Sequence, residues 1–159
     1  MSGTPFTEAS IAGPWTARQA ADFLDGARIP LRVATLTSSG GPSVISLWFM
    51  RMGDDLLCAT RSESAVARAL RRDARCGFEV AADAPPYHGV RGRATAQVEP
   101  DRSDSVLSAL IERYLGNTES DFARWMLSRA EEVVVLRLTP ERVTSWDYRS
   151  RMADALGAD

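Results

Sequence analysis

The hydrophobic pattern of this chain changes period several times, and the changes delimit its elements. Behind Thr16, a residue type that caps helices, Ala20, Phe23, Leu24 and Ala27 recur at helical spacing. Pro30 closes that segment, residues 33–37 read as a strand, and Ser38 to Pro42 as a turn. Residues 44–50 form a second strand that is apolar on both faces, with Ile45, Leu47 and Phe49 on one and Val44, Trp48 and Met50 on the other. Such a strand is expected at the centre of a sheet or covered twice. A Gly53-Asp54-Asp55 turn leads into a third strand, 56–60. Thr60-x-x-Glu63 matches a capping box, which predicts a helix with Val66, Ala69 and Leu70 inside and Arg68, Arg71, Arg72 and Arg75 mainly outside.

Strict alternation returns at 76–82, with Cys76, Phe78 and Val80 on one face, and again at 88–98. There Val90, Gly92, Ala94, Ala96 and Val98 oppose Arg91, Arg93, Thr95 and Gln97. Asp101 is placed to cap a helix with the stripe Val106, Leu107, Leu110, Ile111 and Tyr114, ended by Gly116-Asn117. Thr118 or Ser120 starts a shorter helix carrying Phe122, Trp125 and Met126. The last elements read as a hairpin: a β-branched strand at 133–138, a turn at Thr139-Pro140-Glu141-Arg142, and a return strand at 143–148. Hairpin-linked strands with few helices predict a mainly β (α+β) fold, a small antiparallel barrel with flanking helices. One domain is expected over 16–150, between a mobile segment, 1–15, and a frayed tail, 151–159.

Composition narrows the function. The 159 residues carry a formal net charge of −2, which gives no global attraction to nucleic acid or an anionic membrane. No apolar run approaches the roughly 20 residues of a membrane-spanning helix. Two separated cysteines, Cys58 and Cys76, and a start without a signal-peptide pattern suit a cytoplasmic protein with reduced thiols. A single histidine, His88, argues against a His/Cys metal site. All nineteen basic residues are arginine, so Schiff-base chemistry is excluded, and any phosphate grip must come from arginine, hydroxyls or backbone N–H groups. No GxGxxG, Walker, nucleophile-elbow or HExxH pattern is present. Asp54-Asp55 reads as turn chemistry, His88 as a loop-edge histidine and Cys58 as a small buried apolar group. The arginine helix lacks the interleaved aromatics of single-strand binders and reads as a solvated face.

Several segments in order resemble the FMN-binding split barrels of the pyridoxamine 5′-phosphate oxidase-like class. These are Gly41-Pro42 leading into Leu47-Trp48-Phe49, then Leu56-Leu57-Cys58-Ala59-Thr60, Leu70-Arg71-Arg72-Asp73-Ala74-Arg75 and Val90-Arg91-Gly92-Arg93-Ala94. The resemblance covers roughly 17–148 and implies a six-stranded antiparallel split β-barrel and a homodimer with cofactor sites across its interface. It implies a flavin-dependent oxidoreductase acting on a small-molecule substrate, with FMN as cofactor, the deazaflavin F-420 as the alternative and haem after these. By the same resemblance the isoalloxazine ring lies along Ser46, Leu47, Trp48 and Phe49. The phosphate lies by Thr60, Arg61, Ser62 and Ser64, Ala59 is counted with the cofactor-binding residues, and Trp146 of the second subunit closes the site. Family members commonly carry a lysine two residues after the serine at this helix start; here that position is Val66, with Arg61 or Arg68 as possible replacements. A split-barrel protein that holds a flavin or haem without turnover is the competing reading.

Overall fold

The computed structural model describes residues 11–102 and 105–157. Its elements run β1 (Ile11–Ala12), α1 (Ala17–Gly26), β2 (Leu31–Leu36), β3 (Pro42–Leu47), β4 (Phe49–Met52), β5 (Asp55–Arg61), α2 (Ala65–Arg72), β6 (Arg75–Ala81), β7 (His88–Pro100), α3 (Ser105–Leu115), α4 (Asp121–Leu127), β8 (Val133–Asp147) and α5 (Arg149–Leu156). The strands form one sheet in the order β3-β2-β6-β7-β8-β5-β4, antiparallel throughout except that β1 joins β8 in parallel. The two ends of that order, β3 and β4, are consecutive in the chain and separated only by Trp48. Counting them as one broken strand gives the six long strands of a split barrel, with β1 as a short addition.

Local signals account for much of this. Thr16 caps α1 through a complete capping box, its side chain accepting from the Gln19 amide while the Gln19 side chain accepts from the Thr16 amide. Asp101 accepts from the amides of Val106 (3.2 Å) and Leu107 (2.9 Å) at the start of α3. Gly116, at φ 81°, ends that helix in the left-handed conformation that glycine adopts without strain. The inward faces of β6 and β7 (Cys76, Phe78, Val80; Val90, Ala94, Ala96) join Leu31, Val33, Phe49, Leu56, Cys58, Leu136 and Leu138 in the barrel core.

Four expectations are corrected. The capping box at Thr60-x-x-Glu63 does not form: β5 continues through Arg61, paired with Val133, and Ser64 caps α2 by accepting from the Ala67 amide at 3.2 Å. The final hairpin is instead one fifteen-residue strand, β8, running the length of β7. Pro140 stands opposite Ala94 and Arg142 opposite Arg93, so Glu141 is the extra residue of a β-bulge, a position where proline's missing N–H is tolerated. The strand expected to be doubly covered breaks at Trp48, and its first half is open: Val44 is 65% exposed and Ile45 40%, because β3 pairs only with β2. The segments set apart at the two ends are partly built into the fold. Residues 1–10 and 158–159 lie outside the described residues, but Ile11–Ala12 pair with Val143–Thr144, Trp15 is buried with its indole N–H donating to Asp147 (3.0 Å), and the tail is helical to Leu156.

Candidate functional site

The break at Trp48 organises the site. Trp48 turns its ring onto Tyr114 of α3, stacked at 4.9 Å with a 4° interplanar angle. The Tyr114 hydroxyl accepts from the Phe49 amide (3.3 Å) and donates to the Ile29 carbonyl (3.1 Å). One side chain thus satisfies the backbone where the strand leaves one partner for another, and it lays α3 across the opening. Tyr114→Phe leaves the Phe49 N–H without that acceptor, and the domain loses about 1–2 kcal/mol. Urea denaturation read against the native protein checks this; an unchanged midpoint would show that the hydroxyl pins nothing.

Two adjoining clefts lie beside this crossing. One, of about 250 Å³, is lined by Ser46, Leu47, Trp48, Ala59, Leu107, Leu110, Phe122 and Met126. The other, of about 260 Å³, is lined by Ala59, Thr60, Arg61, Leu107, Trp125, Met126, Arg129 and Val133. They share Ala59, Leu107 and Met126. Sequence reasoning singled out Ser46, Leu47, Trp48, Ala59, Thr60 and Arg61, and these six meet here. It did not place the wall supplied by α3, α4 and a residue just beyond α4: Leu107, Leu110, Phe122, Trp125 and Met126, with Arg129 after the helix. The available signal was apolar bulk on the short helix behind Ser120, which does cap α4 by accepting from Ala123 (3.1 Å). Phe122 and Trp125 stack at 5.8 Å and remain half exposed, with the Arg129 guanidinium 4.9 Å over the Trp125 ring. Flat apolar walls with a cationic rim suit a planar ligand that carries a negative group.

The other singled-out residues go elsewhere. Phe49 is fully buried in the barrel core and forms no part of either cleft. The Ser64 hydroxyl caps α2, and Ser62 is held by Arg71, which donates to its carbonyl (2.6 Å) and hydroxyl (2.8 Å). Arg61 pairs with Glu132 at 3.3 Å, and Arg68 donates to the Glu63 carbonyl at 3.0 Å. Arg68 also lines a separate groove of about 360 Å³ between β3 and α2, with Thr37, Ser38 and Ser43. Val66, at the position of the missing lysine, packs into the core at 4% exposure. Trp146 lies on the outer face of β8 beneath Arg91, whose guanidinium is 5.2 Å from its ring centre.

Titratable groups elsewhere are structural. Cys58 is fully buried, and burial above all holds its thiol protonated; burial likewise pushes the Cys76 thiol up to about 11. Neither is a nucleophile at neutral pH. His88 places Nδ1 2.8 Å from the Pro86 carbonyl and packs edge-on against Phe23 and Trp15. Asp55 accepts from Arg137 (3.1 Å) and Thr139 (2.7 Å). Among the described residues no group of three or more His, Cys, Asp or Glu side chains could hold a metal, and no helix is long and apolar enough to cross a membrane.

Known structures share this architecture. The conserved hypothetical protein Rv2991 of Mycobacterium tuberculosis superimposes with a TM-score of 0.74 at 23% identity, over 92% of this chain and 93% of that one. An F420 reductase matches with a TM-score of 0.66 at 18% identity, over 77% and 94%. The heme storage protein HutZ of Vibrio cholerae matches at 0.62 and 17%, over 79% and 91%. At these identities the likeness establishes the fold. No curated protein matches by sequence. The family model described as pyridoxamine 5′-phosphate oxidase matches residues 17–147, and with the split barrel in place the chain belongs to the pyridoxamine 5′-phosphate oxidase family.

Proposed function

We propose that this protein is a flavin-dependent oxidoreductase that holds FMN, or the deazaflavin F-420, non-covalently in the paired clefts beside Trp48, closed by a second copy of the chain. The observation that carries this reading is the meeting of Ser46, Leu47, Trp48, Ala59, Thr60 and Arg61 around clefts that share a floor. The ring end fits: Leu47, Trp48, Leu107 and Met126 offer apolar contact, and Ser46 and Thr60 offer hydroxyls. A bound flavin would supply the hydride chemistry. The chain's own residues would bind and orient it, and Phe122 and Trp125 would limit water and shape the space left for substrate. The cleft linings contain no carboxylate, histidine or thiol, so proton transfer would fall to solvent or substrate.

The second copy is supported by the open apolar edge. Leu36, Val44 and Ile45 are each more than a third exposed on β2 and β3, more than a solitary barrel ordinarily leaves in water. We assign the protein to the cytoplasm, with no role for nucleic acid or membrane, and a homodimer as the working form.

One observation favours binding without turnover. Val66 is buried, Arg61 is paired with Glu132, and Ser62 and Ser64 are engaged, which weakens the phosphate end. Titration with FMN, F-420 and haem, followed by absorbance and by sedimentation, separates the readings. Saturable flavin binding to a dimer, followed by bleaching with a reduced nicotinamide, supports the oxidoreductase. A Soret shift without flavin binding supports a haem carrier. Indifference to FMN and F-420 would sink the first reading.

A further inference from the structure

A further groove lies away from these clefts, on the outer face of β2, β6, β7 and β8. Its volume is about 510 Å³, and it is lined by Arg32, Arg91, Arg93 and Arg142 against one carboxylate, Glu79. The strand register explains the clustering. Arg32, Glu79, Arg91 and Thr144 stand opposite one another across the four strands, and Ala34, Gly77, Arg93 and Arg142 form the next rung. Glu79 approaches Arg32 at 3.9 Å, and Arg91 is held over Trp146. Arg93 and Arg142, directly opposed, show no hydrogen bond or ion pair among the described residues.

Like charges directly opposite on a sheet are destabilising. Here one such pair, Arg93 and Arg142, stands in a chain whose overall charge is negative. The same rung supplies a trough beside them, because Ala34 and Gly77 leave the floor without bulk. Two adjacent guanidiniums over a small-residue floor match an anion that carries more than one charge and several acceptor oxygens. We propose that this groove is a phosphate-binding site, with Arg93 and Arg142 gripping the anion from one side and Arg91, steadied by Trp146, from another. The site stands independently of the flavin reading; the phosphate is that of a free ligand or that of a cofactor, and the titrations below distinguish the two sources.

Calorimetric titration with inorganic pyrophosphate tests it on the whole chain, native and as Arg93→Gln, Arg142→Gln and the pair, with Arg18→Gln as a control at an exposed helix position. Each groove substitution is expected to weaken pyrophosphate by about tenfold and the control to leave it unchanged. Added salt is expected to weaken native binding. Without ligand, Arg142→Gln is expected to melt no lower than the native protein, because a repulsion is removed. Parallel titrations with FMN and riboflavin separate the sources. If the phosphate is the cofactor's, the substitutions weaken FMN and spare riboflavin; if it is a separate ligand, both flavins are unaffected while pyrophosphate is lost. Equal pyrophosphate affinity in the native protein and the pair, or no saturable binding to the native protein, overturns the proposal. So does a change in sedimentation of the variants without any anion binding, which would make this face a contact between copies.

Discussion

Phe49→Ala is expected to cost the domain about 3–5 kcal/mol, the largest effect of any single truncation near the site. The side chain is fully buried, packed in the barrel core, with the Arg113 guanidinium 5.5 Å from its ring centre and its own amide held by Tyr114. Removing it leaves a cavity where β4 enters the barrel, and rigid β5 and α3 neighbours cannot close it. Trp48→Ala, one residue earlier, is expected to cost less stability, about 1–2 kcal/mol, because the ring is partly exposed, stacked on Tyr114 and packed only against the edge of the α3–α4 cluster. Its effect should fall on ligand binding instead. Urea denaturation paired with FMN titration checks both. A stable Phe49→Ala protein that has lost flavin would restore Phe49 as a ring platform and refute its assignment to the core.

Gly92→Ala is expected to destabilise by about 3 kcal/mol although it adds one methyl group. A Cβ on Gly92 would sit 2.2 Å from the Arg142 carbonyl oxygen and 2.8 Å from two ring carbons of Phe78. The first neighbour is backbone of β8, and the second belongs to a ring that is 4% exposed. Neither can move without disturbing the ladder. Gly77→Ala is the internal comparison: its Cβ would meet Ala34 Cβ at 3.6 Å and the Gly92 carbonyl oxygen at 3.7 Å, ordinary contact distances. Thermal unfolding of the two variants should show Gly92→Ala far below native and Gly77→Ala close to it. Similar melting for both would mean that steric closure at Gly92 is not what holds β7 against β8.

The elements that the sequence predicted well are those whose cause lies within a few residues. The Thr16 cap, the Gly116 stop, the short helix begun at Thr118 or Ser120 and the alternation of β6 and β7 all depend on neighbours three or four positions away, or on one sheet face. The failures occur where a distant partner overrules a local preference. Thr60 and Glu63 have the residue types of a capping box, but β8 offers the backbone of Thr60 and Arg61 a ladder, and the ladder takes them. Pro140 and Glu141 have the residue types of a turn, but β7 is thirteen residues long and pairs on both sides of them, so the turn is absorbed as a bulge.

The candidate site divides in the same way. Its strand residues were legible because the order of Leu47-Trp48-Phe49, Ala59-Thr60-Arg61 and the helix behind them is a property of the chain. Which of those side chains face the clefts was not. Trp48 and Phe49 are adjacent and both aromatic, yet the strand break sends one to Tyr114 and the other into the core. The arginines were countable from the outset, but Arg61 and Arg71 are tied to Glu132 and Ser62, while Arg93 and Arg142 face each other with no ion pair among the described residues, through register set across the fold.

The sequence by itself therefore determined a mainly β fold with a small antiparallel barrel, the Thr16 and Asp101 helix starts, the Gly116 stop and a chemistry without lysine, because period, capping and composition act locally. Only the tertiary structure decided that β3 is an open edge, that α4 walls the clefts and that four arginines share one groove. Those outcomes depend on strand register, which brings together residues more than a hundred positions apart, such as Arg32 and Thr144, and leaves no trace in the order of the chain.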